Sequence, residues 1–333
     1  MTIAFLALSA GGFAQKFNYN GMRFRVLTDS TVAVGNHHIP YDTLSYDTRP
    51  SEIPPQVGDI VIPTKVEYQG RHYAVTEIGD SAFMQCDDIT SLEIPEGITK
   101  IGNWAFFSTS NIKEFIIPQS VRYIGEWALA FTSTRSIILP DTMDYIAPHA
   151  FDCCGYTWVW LMSEWQEDYH LEKIKIPYGI RTISRYCFHD CCALEIEIPE
   201  TVSKVEEDGL LLTRMHIDYN DGLVHAKVIC HAQIPPESEK GGLIPRIKPD
   251  FVFPTSTVLY VPKESMEAYK SAYQWSAFQV ILPIEEYNAI DFPDQDTHEV
   301  TRYALDGQKL SAPRKGLNIV KMSDGTTRKV FVK

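Results

Sequence analysis

The chain has 333 residues, 44% of them hydrophobic and 22% charged, a composition that excludes wholesale disorder. No apolar run approaches the ~18–20 residues of a membrane-spanning helix, and a net charge of −13 argues against general binding to nucleic acid phosphates. The charge is uneven: Val75 to Val205 holds nineteen acids and nine bases, a net of −10, whereas Glu299 to Lys333 holds three acids and eight bases, a net of +5. Such asymmetry points to separate roles for the two segments. Seven cysteines, an odd number, leave at least one thiol unpaired in a monomer.

Residues 1–14 read as a signal peptide. Ile3 to Leu8 is a short apolar stretch, and Gly12 and Ala14 are small residues at the −3 and −1 positions of a cut before Gln15. The basic n-region is missing, and a buried N-terminal strand is the alternative. No Cys follows the apolar stretch, so a lipoprotein anchor is not expected. Residues 15–74 then form an N-terminal β cap.

Residues 75–208 are an internal repeat of 22–23 residues. Ile78, Ile101, Ile124, Ile146, Ile183 and Val205 step by 23, 23, 22, 37 and 22, and Pro95, Pro118, Pro140, Pro177 and Pro199 keep the same phase. This period lies within the range of leucine-rich repeats. Each unit holds a short alternation (Leu92-Glu93-Ile94, Ile174-Lys175-Ile176, Ile196-Glu197-Ile198) that reads as a strand with two apolar residues inward and one outward. Pro stops the strand because it cannot donate to a ladder. The Ile-Gly-x-x-Ala-Phe piece is expected to return the chain as a helical or 3-10 turn. The fold expected is an α/β repeat solenoid: a parallel sheet, helical turns on the convex side, β-rich caps and a small C-terminal β module. Ile94, Ile117, Leu139, Ile176 and Ile198 should be core, with Phe83, Phe106, Phe151 and Phe188 behind them.

The pattern of Ile78 to Pro95 resembles the BspA-like leucine-rich repeats of surface proteins in Bacteroidetes and some other microbes. The lead-in from Gly58 to Tyr73 resembles that family's N-terminal hairpin. Leu259 to Pro262, followed by Glu264 to Phe278, resembles its last rung and closing helix, so that 209–285 holds C-terminal rungs and a cap. The resemblance implies adhesion or protein binding at a cell surface, without catalysis.

The outward centre positions of successive strands are Glu93, Ile116, Ile138, Lys175, Glu197 and Tyr260. Ile116 beside Ile138 is an apolar pair on a face that should be hydrated. Lys175 with Glu197, and Lys173 with Glu195, should form cross-strand ion pairs. The fourth unit carries an aromatic insertion at 155–170 with Tyr156, Trp158, Trp160, Trp165 and Tyr169, beside Glu164, Glu167 and Asp168. Insertions in repeat proteins loop out of one face and carry binding surfaces. These rings either contact a ligand or pack back onto the repeats; both readings stay open.

Residues 286–298 read as a linker. In 299–333 the alternating strands with Asp306-Gly307 and Asp324-Gly325 turns resemble a C-terminal sorting domain of the type IX secretion system. The alternative is an ordinary β module.

No phosphate-binding Gly loop, zincin helix or nucleophile elbow is present. Cys187-Phe-His189-Asp190-Cys191-Cys192 is a metal candidate by composition, but Cys187 and Cys191 fall on core positions of the repeat. A Cys154–Cys191 disulfide is an open alternative. The sequence thus predicts an exported, secreted or cell-surface monomer without enzyme activity, metal or cofactor, whose partner is a protein or a glycan. A structural spacer is the remaining alternative.

Overall fold

The structure is a computed structural model. It describes residues 15–35, 57–155, 171–191, 193–211, 217–218, 223–224, 226–243, 253–287, 299–304, 309–310, 316–322 and 327–332. The expected signal peptide, the insertion from Tyr156 to His170, and 288–298 of the expected linker lie outside these residues. The chain divides into two compact units, Met1–Tyr287 and Asn288–Lys333.

The first unit opens with the antiparallel strands Lys16–Tyr19 and Met22–Val26. Asn20 and Gly21 join them with φ of 46° and 79°, the two positive values that a twisted two-residue hairpin needs. Thr31–Val34 pairs antiparallel with the second strand and parallel with Arg71–Ile78. Arg71–Ile78 forms its own hairpin with Lys65–Tyr68. Phe17, Phe24, Val66 and Tyr73 bury the inner side.

Two parallel ladders carry the repeats. The first runs through Gly58–Val61 and Ile89–Glu93, then Glu114–Ile116 and Ser136–Ile138. These are two separate pairs, and a third sheet follows them in the same order: Leu171–Lys175, Ala193–Ile198, Ala226–Cys230, Phe253–Val261 and Phe278–Pro283. In this row the parallel pairing begins at Gly58, ahead of the first full repeat. The second ladder joins Arg71–Ile78, Lys100–Ile101, Tyr123–Ile124 and Tyr145–Ile146. It resumes as a separate sheet with Thr182–Ile183, Lys204–Val205 and Glu237–Ser238. Mostly parallel strands with few helices make this a leucine-rich-repeat type of fold.

Side-chain placement follows the period. Ile78, Ile101, Ile124, Ile146, Ile183 and Val205 are all buried. So are Ile94, Ile117, Ile176 and Ile198, but Leu139 is only half-buried against the core. Phe83 stacks on Phe106 with ring centroids 5.4 Å apart, and Phe151 on Phe188 at 5.2 Å. Between the two pairs the third rung places Leu129, which is also fully buried, so the equivalent positions are apolar throughout.

The expected helical or 3-10 turns are corrected by the structure. The Ile-Gly-x-x-Ala-Phe pieces are chains of single turns: Ala82 N–H bonds to the Gly79 carbonyl and Cys86 N–H to that of Phe83. Ser81 and Gln85 have φ of 55° and 54°, which ends each turn before a helix can propagate. The N–H groups of Ser81, Phe83 and Gln85 instead reach the carbonyls of Asn103, Ala105 and Phe107 in the next rung, at 2.7–2.8 Å. Left-handed backbone costs roughly 1–2 kcal/mol per non-Gly residue. Bonds between rungs, at about 0.5–1.5 kcal/mol each, offset it. Among the described residues the one α-helix is Met266–Ser271, so the α contribution expected on the turn side is absent there.

That helix closes the C-terminal end. Tyr269 and Trp275 are fully buried. The Tyr269 hydroxyl donates to the Ala232 carbonyl at 2.9 Å, and Trp275 Nε1–H donates to that of Pro236 at 2.9 Å. The second unit is an antiparallel sheet in the order Lys309–Leu310, Glu299–Ala304, Gly316–Met322, Thr327–Val332.

Candidate functional site

The strand face divides into an open half and a covered half. Ile116 and Ile138 stand opposite each other in register and are 56% and 49% exposed. Val61, further along the same row beyond the exposed Glu93, is 58% exposed. Alternation forces these outward positions into solvent, and the sequence fills them with β-branched apolar residues. Tyr156, Trp158, Trp160, Trp165 and Tyr169, the other candidate binding residues, lie outside the described residues.

The other half is charged and covered. Lys173 Nζ lies 2.6 Å from Glu195 Oε1 and 2.9 Å from Glu197 Oε2. The expected Lys175–Glu197 pair does not form: Lys175 turns to Asp141 at 3.4 Å, and Glu197 takes Lys173 and His231 Nε2, the latter at 3.2 Å. The hydrogen bond to His231, working against burial and helped by Lys173, holds the Glu197 carboxyl down at about 2. Glu195 and Tyr260 were expected to face solvent but are buried. The turn Ile284–Glu286 brings Tyr287 onto Tyr260, with ring centroids 5.3 Å apart, and Lys227 Nζ lies 5.4 Å above the Tyr287 ring. Burial, then the neighbouring Glu195 carboxylate, pushes the Tyr287 hydroxyl well above the ordinary phenol range.

The turn side holds a cluster that the linear sequence does not display. Trp127, His149 and Tyr186 occupy the same positive-φ position in three successive rungs, with φ of 58°, 58° and 54°. Their rings stack, with centroids 4.0 Å apart for Trp127–His149 and 4.6 Å for His149–Tyr186. Asp152, buried beneath them, receives His149 Nδ1 at 2.8 Å and His189 Nδ1 at 2.9 Å. Burial alone would raise the Asp152 carboxyl, but the hydrogen bonds from both imidazoles outweigh it and hold the carboxyl below its usual range. Burial likewise works against the His189 cation, yet Asp152, with Asp190 and Asp208, raises its pKa above the ordinary value.

These rungs can be compared with known repeats. A family model described as BspA type leucine rich repeat region (6 copies) matches residues 162–213. Residues 162–213 thus match this type of repeat. Among curated proteins none matches the chain. Among solved structures, a leucine-rich repeat protein from Bacteroides ovatus is 16% identical. The match covers 80% of this chain and 76% of that one, with a TM-score of 0.43. A leucine rich cell surface protein from Faecalibacterium prausnitzii is 14% identical over 82% of this chain and 96% of that one, with a TM-score of 0.27. The pneumococcal vaccine antigen PcpA is 14% identical over 81% and 98%, with a TM-score of 0.25. Likenesses at this level decide nothing about a ligand.

In these rungs the cysteine and histidine run does not converge on a point. Cys187 and Cys191 face the core while His189 turns to Asp152. Among the described residues no group of three or more His, Cys, Asp or Glu is arranged to hold a metal ion. Cys154 is a free thiol with its Sγ 3.0 Å from Thr132 Oγ1, so the bridge to Cys191 considered from sequence is not made. Among the described residues no helix is long and apolar enough to cross a membrane.

Proposed function

We propose that this is an exported, non-catalytic repeat protein that binds a protein partner at the cell surface through its strand face. The exposed pair Ile116 and Ile138 carries the reading. A parallel strand pair holds the two side chains in register, and β-branched isoleucine has few rotamers to lose, so their burial against a partner costs little conformational entropy. BspA-type repeats in the matched segment support a binding role over chemistry. Within the same reading, residues 1–14 direct export, the aromatic insertion at 155–170 extends the binding surface, and 299–333 serves as a sorting tail.

The test uses protein beginning at Gln15 to capture host extracellular proteins, with a captured species identified and its affinity measured. Ile116→Asp with Ile138→Asp should lower that affinity at least about tenfold, as expected for loss of a buried apolar pair. A partner that binds the double variant equally well removes the strand face from the proposal. Failure to capture any protein leaves the spacer reading in its place.

A further inference from the structure

At the rung that carries the insertion, the second ladder breaks. Among the described residues Tyr145–Ile146 pairs with Tyr123–Ile124, and Thr182–Ile183 pairs with Lys204–Val205, but these two strands do not pair with each other. The rungs remain clamped on both sides of the break. On one side Gly179 N–H donates to the Asp141 carbonyl at 3.1 Å. The approach is so close that a Cβ on Gly179 would lie 2.0 Å from the Met143 carbonyl oxygen. On the other side Ser184 Oγ donates to the Ile146 carbonyl at 2.5 Å. Equivalent carbonyls elsewhere take a backbone N–H: Ile78 from Gly102 and Ile183 from Glu206.

Between the clamps lies a cleft of about 520 Å³ lined by Asp144, Tyr145, Ile180, Arg181, Thr182 and Glu206, with Gly179 and Ser184 at its edges. This is the size of a small-ligand site. One lining residue, Tyr145, ends an aromatic row. Lys100 Nζ sits 5.4 Å from the Tyr123 ring centroid, and Tyr123 stacks on Tyr145 at 5.5 Å with an interplanar angle of 24°. The row therefore runs Lys100, Tyr123, Tyr145, and ends at the break. Tyr145 is 45% exposed and lines the cleft. Around it stand the Asp144 carboxylate, the Arg181 guanidinium, the Thr182 hydroxyl and the Glu206 carboxylate, which also accepts the Arg185 N–H at 3.1 Å and lies 3.7 Å from Lys204 Nζ.

Asp144 and Glu206 against Arg181, with Lys204 3.7 Å from Glu206, leave no excess of positive charge for an anion such as phosphate, and Ile180 with the Tyr145 ring is too little apolar lining for a lipid chain. A flat ring face surrounded by mixed donors and acceptors matches a sugar ring, whose CH face packs on an aromatic ring while its hydroxyls exchange hydrogen bonds. We propose that this cleft binds a carbohydrate residue, stacked on Tyr145 and held by Asp144, Arg181, Thr182 and Glu206. The site is separate from the Ile116–Ile138 face and stands whether or not that face binds protein.

The full chain is applied to a printed array of mono- to hexasaccharides, and the strongest binder is titrated calorimetrically. At least one glycan should bind. Tyr145→Ala should weaken it about tenfold, the loss of one stacked ring, while Tyr145→Phe should leave affinity within about threefold, because the ring and not the hydroxyl makes the platform. Thr182→Trp, which fills the cleft and keeps Tyr145, should abolish binding even if Tyr145→Ala proves unstable. Ile116→Asp with Ile138→Asp should leave glycan affinity unchanged, which separates this site from the protein-binding face. An array without any bound glycan, or binding that survives Thr182→Trp, overturns the proposal.

Discussion

Asp152→Asn isolates the interaction that ties two rungs together on the turn side. Asp152 is 5% exposed and takes one imidazole on each carboxylate oxygen. An amide in its place keeps one acceptor and turns the other atom into a donor facing an N–H. Hydrogen bonds to charged groups contribute about 1.5–3 kcal/mol and neutral ones about 0.5–1.5. The substitution should therefore cost about 2–4 kcal/mol while His189 is charged and roughly 1–2 when it is neutral. The pH dependence has a definite sign. His189 has a raised pKa in the folded state, so its contribution is complete below the unfolded value of about 6.5 and fades as pH climbs through the folded one. Asp152 has a lowered pKa, so its contribution is complete above about 3.9 and is lost as pH falls through the folded value. The window of largest effect is thus about pH 4–6.5. A unit of this size unfolds with an entropy of roughly 0.6 kcal/mol per degree. The melting temperature of the variant should drop by ~3–7 °C at pH 5.5 and ~2–3 °C at pH 8.5 in scanning calorimetry. Equal drops at both pH values would refute the coupling. So would an NMR titration in which the His189 pKa does not fall towards ~6.5 in Asp152→Asn.

Phe106→Ala removes the ring stacked on Phe83 and should cost about 3–5 kcal/mol in urea unfolding; a loss below ~1 kcal/mol would mean the rungs close over the cavity. Lys173→Ala strands the buried Glu195 carboxylate, and since the lysine is itself part-exposed the cost should be about 1–3 kcal/mol at pH 7, between the limits for surface and buried pairs. Glu197, held down at about 2, should add stability above about pH 4.3 that disappears as pH falls through about 2, and His231→Ala should flatten that acid limb in a circular dichroism titration. The Cys187 thiol is pushed up by burial and then by Asp152, and burial lifts Cys230 to about 11. Neither should react with iodoacetamide at pH 8 until the protein is unfolded, and peptide mapping that finds either one labelled in native protein would contradict its placement in the core.

Much of the fold can be read in the residues because one physical rule repeats. Ile78, Ile101, Ile124, Ile146, Ile183 and Val205 hold their phase across the insertion, and each has only one way to bury its side chain: on the neighbouring rung. The exposed Ile116–Ile138 pair follows from the same phase, since alternation gives outward positions as surely as inward ones. The turn side was misread because Ala and Phe spaced for burial fit a helical turn as well as a chain of single turns. Bonds between rungs, made at Ser81, Phe83 and Gln85, decide between the two, and local propensity carries no trace of them. His149, Asp152 and His189 were missed for a related reason. The first and last are forty positions apart, and only superposing the fourth and fifth units across the insertion puts them side by side.

The cleft at Tyr145 left weak marks in the sequence: a step of 37 residues in place of 22–23, a Ser at 184 where residues 79, 102 and 125 are Gly, and tyrosines at 123 and 145 one period apart. None of these says that the ladder opens. The sequence by itself determined the phase of the inward apolar residues from Ile78 to Val205 and the parallel stacking of the repeats, because burial of apolar side chains at a fixed period admits one stacking order. Tertiary structure alone decided where that order is interrupted and which outward positions stay open. Tyr287 covers Glu195 and Tyr260, while Ile116, Ile138 and Tyr145 remain in solvent. Such outcomes depend on contacts between segments far apart in the chain, whose energies no local pattern encodes.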